Sequence, residues 1–501
     1  MIKNTFTQLI VLYTIAIILI LINVFGKFSI QLNIASLIIA LTALPIIKKT
    51  NLNLPDYLIA IPIILTLALR IIPYINNSIP LGYDAGIYKY GIETFQGINS
   101  TEWAKGTFTP IFIYLTTILR TFFTTDTILI YVLILINLLI PITLYITTKE
   151  YFNKSIAIIS TIIYSLSIIQ FKLFSYLYFK NIMAIPLLLL TFYFYKKNKS
   201  KLFILTAALT GATHRPTFLI LILSYFALTI KQKSKKDLIN LIKIGILTLI
   251  FYLGFIKQAI LPLIAPVTQS LLQPGTSPGT FIDFFTYQYS ILTYLPFALI
   301  GLFYLIKQKD YNLIFFSTII SLAIVYFQFF FFNRFIIHLD LFLIILAGVG
   351  FSTLIQYRKK IGALITIILL ISAGVLVTQE ALNTKPLINK EELETIKQLQ
   401  NTEEGAYVMA TASLYSPYVL GYSGRKTIAP GLFEYNQHNK AEWTNFWTTK
   451  DLEEIKQFLN KYNKPLYIYV GAKQPNNIAQ FNQCFETYYE QNNNKIYKYT
   501  C

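Results

Sequence analysis

The chain has 501 residues, of which 55% are hydrophobic and 16% aromatic, with only 13% charged. That balance excludes a soluble enzyme of ordinary surface. The formal charge of +19 does not point to nucleic acid, because Lys and Arg in a membrane protein mark cytoplasmic loops.

Along the chain, "LIVLYTIAIILILINVF" comes first. It lacks a small-residue cleavage site and a second apolar run follows at once, so it reads as a retained anchor and not as a signal peptide. A third run, near 56–75, leads into "IPLGYDAGIYKYGIETFQG", a loop that carries Asp84 and Glu93 between glycines and tyrosines. Basic clusters then recur at Lys48 and Lys49, Lys149 to Lys154, Lys196 to Lys201, Lys231 to Lys236, Lys307 to Lys309 and Arg358 to Lys360. If all are cytoplasmic, an even number of crossings separates each neighbouring pair. The interval from Lys49 to Lys149 holds three apolar runs. Parity therefore assigns "TFTPIFIYLTTILRTFF", short and threonine-rich with Arg120, to the outer interface or to partial insertion. The stretch broken at "THRP" reads as two short helices.

These steps predict a polytopic α-helical membrane protein with about 13 transmembrane helices. It lies in the cell membrane with its N-terminus cytoplasmic. Residues 1–378 form the membrane domain, with an outer loop over about 76–126. From 379 the composition turns polar, and "AYVMA" and "PLYIYVG" read as strands around the helical pattern "TKDLEEIKQFLNKY". Residues 379–501 are thus expected to form a small extracytoplasmic α/β domain. Its Cys484 and Cys501 either pair in an oxidising compartment or stay as free thiols.

The outward-facing polar residues carry the chemistry. Asp84 suits the N-cap of "AGIYKYGIETFQ", and equally a general base at the membrane surface; the two roles are compatible. Tyr83 and Tyr88 flank it. Glu93 reads as a solvated helix face or a second polar group toward substrate, and Lys105 as a surface lysine or a phosphate contact. His214 and Arg215 stand between apolar helices, either against lipid headgroups or lining a cavity where Arg binds phosphate. Lys180, Asn181 and Arg334 open two further helices on the same side. No P-loop, "HExxH" or "GxSxG" is present, and three histidines leave little material for a multi-histidine metal site.

The order of "GYDAGIYKYGIE", "KGTFTPIFIYLTTILRTFF", "LYITTKEYFNKS", "LTAALTGATHRPTFLILI" and an outer "NRF" resembles the GT-C superfamily of membrane glycosyltransferases. It is most similar to the branch of dolichyl-phosphate-mannose–protein mannosyltransferases, the aminoarabinose transferases of lipid A and their archaeal relatives, over roughly residues 56–355. The resemblance implies transfer of a sugar from a polyprenyl (dolichyl) phosphate carrier to a glycan, lipid or protein acceptor outside the membrane, usually with inversion. It implies Asp84 as general base, with Lys105, Arg215 and Arg334 holding the carrier phosphate. No cofactor is implied, and a divalent metal is not indicated. Two helices before Asp84 depart from the commonest pattern, and the "WWDxG" motif of oligosaccharyltransferases is missing. Two other readings stay open: a transporter or flippase of polyprenyl-linked sugars, and a ligase or polymerase using a lipid-diphosphate donor.

Overall fold

The computed structural model describes residues 36–37, 40–41, 52–260, 281–329, 331–428, 437–473 and 483–501. The first of the two apolar runs expected ahead of Lys48 lies outside the described residues, and the second is touched only at 36–37 and 40–41.

The described chain enters with α1 (Asp56–Tyr74) and turns through the Asp84 loop into α2 (Ala85–Thr94). Two short helices follow, α3 (Glu102–Thr107) and α4 (Pro110–Arg120). Proline opens α4, where its missing N–H and fixed φ cost nothing. Its 11 residues rise only about 16 Å, roughly half of a ~30 Å hydrocarbon core. It buries Phe112, Ile113 and Thr116, while Arg120 reaches back to the carbonyl of Glu93 at 2.7 Å. The segment singled out by parity is thus too short to cross. Next come α5 (Thr125–Tyr151), then α6 (Lys154–Leu166) and α7 (Ile168–Ser175), which meet at 55°. Then α8 (Phe179–Lys196), α9 (Ser200–Thr213), α10 (Arg215–Gln232) and α11 (Lys235–Phe251) follow. The expected break at "THRP" falls on His214, whose extended backbone separates α9 from α10.

The membrane domain ends with α12 (Phe284–Ser290) and α13 (Leu295–Gln308), bent by 82°, and with α14 (Leu313–Tyr326), α15 (Ile336–Tyr357) and α16 (Lys359–Asn383). Four described helices, α1, α5, α15 and α16, are long and apolar enough to span, or six if each bent pair is one span. The expected count of about thirteen also takes in shorter apolar helices such as α9 and α14, and segments outside the described residues. The apolar helix α16 runs on to Asn383, past the composition break at 378, because "TQEALN" continues a helical sequence.

Helix α15 is the centre of the bundle, buried from Ile336 through Thr353 and apolar all round, as a helix with no solvent or lipid face should be. Gly301 and Gly350 let α13 and α15 approach backbone to backbone. One polar knot interrupts this core. Asp340 accepts from Ser167 at 3.0 Å, from Gln170 at 2.8 Å, and from Tyr294. Arg70 donates to Asn137 at 3.2 Å and to the Gln170 carbonyl at 3.0 Å. These bonds staple α1, α5, α7 and α15, the usual use of polar side chains inside a membrane domain.

The tail forms α17 (Lys390–Gln398), β1 (Tyr407–Ala410), α18 (Ser416–Ser423), β2 (Lys426–Ile428), α19 (Lys440–Thr448), α20 (Leu452–Leu459) and strands β3 (Leu466–Val470), β4 (Phe485–Gln491) and β5 (Asn494–Tyr499). The sheet order is β2-β1-β3-β5-β4, parallel from β2 to β3 and antiparallel through β5 and β4. Strand alternation splits the faces. Leu466 and Ile468 pack with Trp443 and Phe458, whereas Tyr467 and Tyr469 join the core shared with the membrane domain. The sequence reading located β1 and β3 but missed β2 and the β4–β5 hairpin. The hairpin's "FETYYEQ" and "NKIYKY" flank an Asn-rich turn with Asn492 at φ 55°, a hairpin signal hidden by their many polar residues.

Cys484 and Cys501 form a disulfide closing a loop of 17 residues. Cross-linking a loop of that size stabilises by about 3 kcal/mol. Cys501→Ser is therefore expected to lower the unfolding free energy of the tail in the full-length chain by that order, read as a lower denaturant midpoint followed by protease sensitivity. No shift on reduction would show that the bridge contributes nothing to stability.

Candidate active site

Four helix starts converge on one side of the bundle. Asp84 stands at the N-cap of α2, Lys180 and Asn181 in the first turn of α8, His214 and Arg215 at the start of α10, and Arg334 just ahead of α15. With Tyr83, Tyr88, Tyr178 and Phe281 these residues line a cavity of about 360 Å³. Unsatisfied backbone N–H groups at helix N-termini add partial positive charge to three cationic side chains, so the walls favour an anion.

Asp84 occupies the N-cap position, yet its side chain makes no capping hydrogen bond; only its backbone carbonyl serves the helix, accepting from Tyr88 N at 2.9 Å. This corrects the capping reading of that carboxylate and leaves its oxygens to the cavity. Burial raises the Asp84 carboxyl above the ordinary aspartate range, and the charges of Lys180 and then Arg334 pull it back down. Such a carboxylate is a stronger base than an exposed one once ionised.

Two of the cations are held by backbone carbonyls. Lys180 Nζ donates to Thr107 O at 3.1 Å and Arg215 Nη2 to Gly106 O at 3.3 Å, so both fasten the end of α3 to the cavity wall. Arg334 stands exposed at the mouth, its guanidinium 5.3 Å from the Phe281 ring. His214 Nδ1 lies 2.8 Å from the Thr217 hydroxyl, which lies 2.7 Å from His338 Nε2, so the ring is anchored from inside the bundle. Tyr88 packs its ring among Phe108, Phe112 and Phe179 and fixes the inner face of α2.

Two residues singled out in the sequence lie elsewhere. Glu93 pairs with Lys89 at 2.7 Å, one helical turn back, and lies outside the cavity lining. That i,i+4 pair is a plain helix-face interaction. Lys105 bonds the carbonyl of Ile98 and also lies off the lining, although its neighbours Gly106 and Thr107 belong to it. The sequence reading did not single out Tyr178 or Phe281. Tyr178 sits two residues before Lys180, a signal that was available; Phe281 had none. Among the described residues no three His, Cys, Asp or Glu side chains gather at one point, and the cavity offers the single carboxylate Asp84 to a cation.

No family model matches the chain, and no curated protein matches it by sequence. Solved structures do match in fold. The archaeal oligosaccharyltransferase AglB from Archaeoglobus fulgidus, in complex with an inhibitory peptide and a dolichol-phosphate, superposes with a TM-score of 0.60 at 13% identity, over 83% of this chain and 69% of that one. An oligosaccharyltransferase from Archaeoglobus fulgidus in complex with Zn and sulfate gives 0.59 at 13% identity, over 82% of this chain and 67% of that one. ArnT from Cupriavidus metallidurans, bound to undecaprenyl phosphate, gives 0.58 at 9% identity, over 88% of this chain and 97% of that one. The fold of this chain is therefore the fold of these solved structures.

Proposed function

We propose that this chain is a membrane glycosyltransferase that moves a sugar from a polyprenyl-phosphate carrier, dolichyl in type, to an acceptor on the extracytoplasmic side with inversion. The observation that carries the reading is one carboxylate, Asp84, facing Lys180, Arg215 and Arg334 across a single cavity at converging helix starts. Three cations against one carboxylate leave excess positive charge, which suits a phosphodiester that departs as a phosphate bearing one more negative charge.

Asp84 takes the proton of the acceptor hydroxyl or amine. The freed lone pair attacks the anomeric carbon on the face opposite the phosphate, and the bond from that carbon to the phosphate oxygen breaks with its electrons going to the leaving polyprenyl phosphate. Lys180 and Arg215 sit where that growing charge can be held, and a buried site strengthens their hold. The matched AglB and ArnT structures contain dolichol-phosphate and undecaprenyl phosphate, which supports a lipid-phosphate donor here. The disulfide favours an oxidising compartment for the tail. The packing of α18 directly on α2 supports a reading in which the tail and Asp84 lie on one side and the N-terminus is cytoplasmic.

Purified chain in lipid nanodiscs, given sugar-labelled polyprenyl monophosphate and polyprenyl diphosphate, tests the reading. Transfer from the monophosphate is expected. Turnover confined to the diphosphate would overturn the donor class, and movement of either lipid across a vesicle membrane without transfer would overturn the enzyme.

A further inference from the structure

We propose that Tyr418 is a positioning residue for Asp84: seated on the loop before α2, it lets the C-terminal domain set where that carboxylate stands relative to Lys180. The inference rests on the reading of Asp84 as the base.

The loop is gripped from two sides. Gly82, two residues before Asp84, has φ +82°, and a Cβ built there would lie 2.7 Å from Tyr176 O and from Leu177 Cβ. Only glycine lets the backbone rest on that turn. The same turn leads into α8 and so delivers Lys180. From the opposite side the buried Tyr418 hydroxyl donates to Gly82 O at 2.9 Å and lies 3.5 Å from Pro80 O. Gly82 is thus wedged between the segment that carries Lys180 and a tyrosine of the tail, and the position of Asp84 follows from both.

The contact extends along one face of α18. A Cβ on Gly86, in the first turn of α2, would stand 1.7 Å from Pro417 O, and one on Gly421 would stand 2.4 Å from Gly86 O. The two helices therefore meet backbone to backbone directly beside Asp84. Leu420 packs on Ile87, Tyr90 and Trp103. One turn along from Tyr418, Tyr422 donates to Asp126 Oδ1 at 2.8 Å, and its ring lies 4.8 Å from Lys89 Nζ. Pro417, Tyr418, Gly421 and Tyr422 fall at i, i+1, i+4 and i+5, a continuous stripe on one helix face. Helix α2 has 10 residues, too few to persist in water by itself. Its other face is already used against the membrane aromatics, so α18 supplies the second wall. Loss of the Tyr418 hydroxyl leaves the half-buried Gly82 carbonyl without this donor and frees the loop to shift.

The test uses the full chain in nanodiscs with Tyr418→Phe, Gly421→Ala and Asp84→Asn side by side. Tyr418→Phe is expected to lower kcat by at least about tenfold, since displacements near 1 Å cost that much or more. Donor KM, polyprenyl-phosphate affinity and the thermal midpoint should stay near wild type. Gly421→Ala, which must push α18 off Gly86, is expected to lose more kcat, again counted per lipid-binding molecule. An unchanged kcat per lipid-binding molecule in both variants, or a loss that only tracks the fraction unable to bind lipid, overturns the positioning role. If Asp84→Asn keeps full transfer, the base assignment fails instead, whatever Tyr418→Phe does.

Discussion

Asp84→Asn is expected to reduce sugar transfer by about 10²- to 10⁴-fold, the range associated with a general base, while binding of the carrier lipid is retained. The amide keeps the shape of the side chain but cannot accept the proton of the acceptor. The variant should fold. Burial raises the Asp84 carboxyl above its ordinary value, so its ionisation is less favourable in the folded chain than in the unfolded one. For such a group the stability present in the protonated form is lost as pH rises through and above the unfolded value. Removing the titration therefore leaves the variant at least as stable as wild type at neutral pH, a trade of stability for function common at active sites. Measured turnover, carrier-lipid affinity and thermal midpoint together decide the matter. Transfer within twofold of wild type with normal lipid binding would falsify the base assignment, while loss of both transfer and lipid binding would make Asp84 a structural residue.

How much of this could be read from the sequence depends on the range of the interaction. Run length and charge bias report on single segments, and they located the helices, the short helix α4 and the break at His214. The cavity came through indirectly. Asp84, Lys180, His214, Arg215 and Arg334 each stand out as a polar residue at a helix end, and the bundle brings those ends together. Glu93 and Lys105 stand at similar places in the sequence, but a pairing one turn back and a nearby carbonyl claim them. The Lys89–Glu93 spacing in "KYGIE" was visible and would have argued for that helix-face pair. Tyr418 shows the opposite limit. Its partner lies 336 residues away along the chain, and nothing in "LYSPYVLGYSG" marks it, because the need for a tyrosine there arises only once α2 and α18 meet. Asp340 was equally unmarked; its partners Ser167 and Gln170, at one helix start, and Tyr294 come from two distant places in the chain.

Lys180→Met is expected to weaken carrier-phosphate binding by about 1.5–3 kcal/mol, roughly 10- to 150-fold, the loss typical of one hydrogen bond to a charged group. Methionine keeps most of the aliphatic stem, while the Phe108 ring loses the ammonium 5.9 Å from its centroid and the Thr107 carbonyl loses its donor. The pH profile should move as well. Asp84 acts as a carboxylate, so transfer is present above its folded pKa and is lost as pH falls through it. Lys180 is the foremost charge holding that pKa down against burial. Without it the carboxyl rises further, and the acid limb of kcat must shift to higher pH in the variant. Glu93→Gln provides the contrast, since its carboxylate pairs with Lys89 off the cavity; turnover, lipid affinity and acid limb should all stay near wild type there. A Lys180→Met enzyme with weaker lipid binding but an unmoved acid limb would mean that Lys180 holds phosphate without tuning Asp84. An acid limb moved downward would contradict the electrostatic picture of the cavity outright.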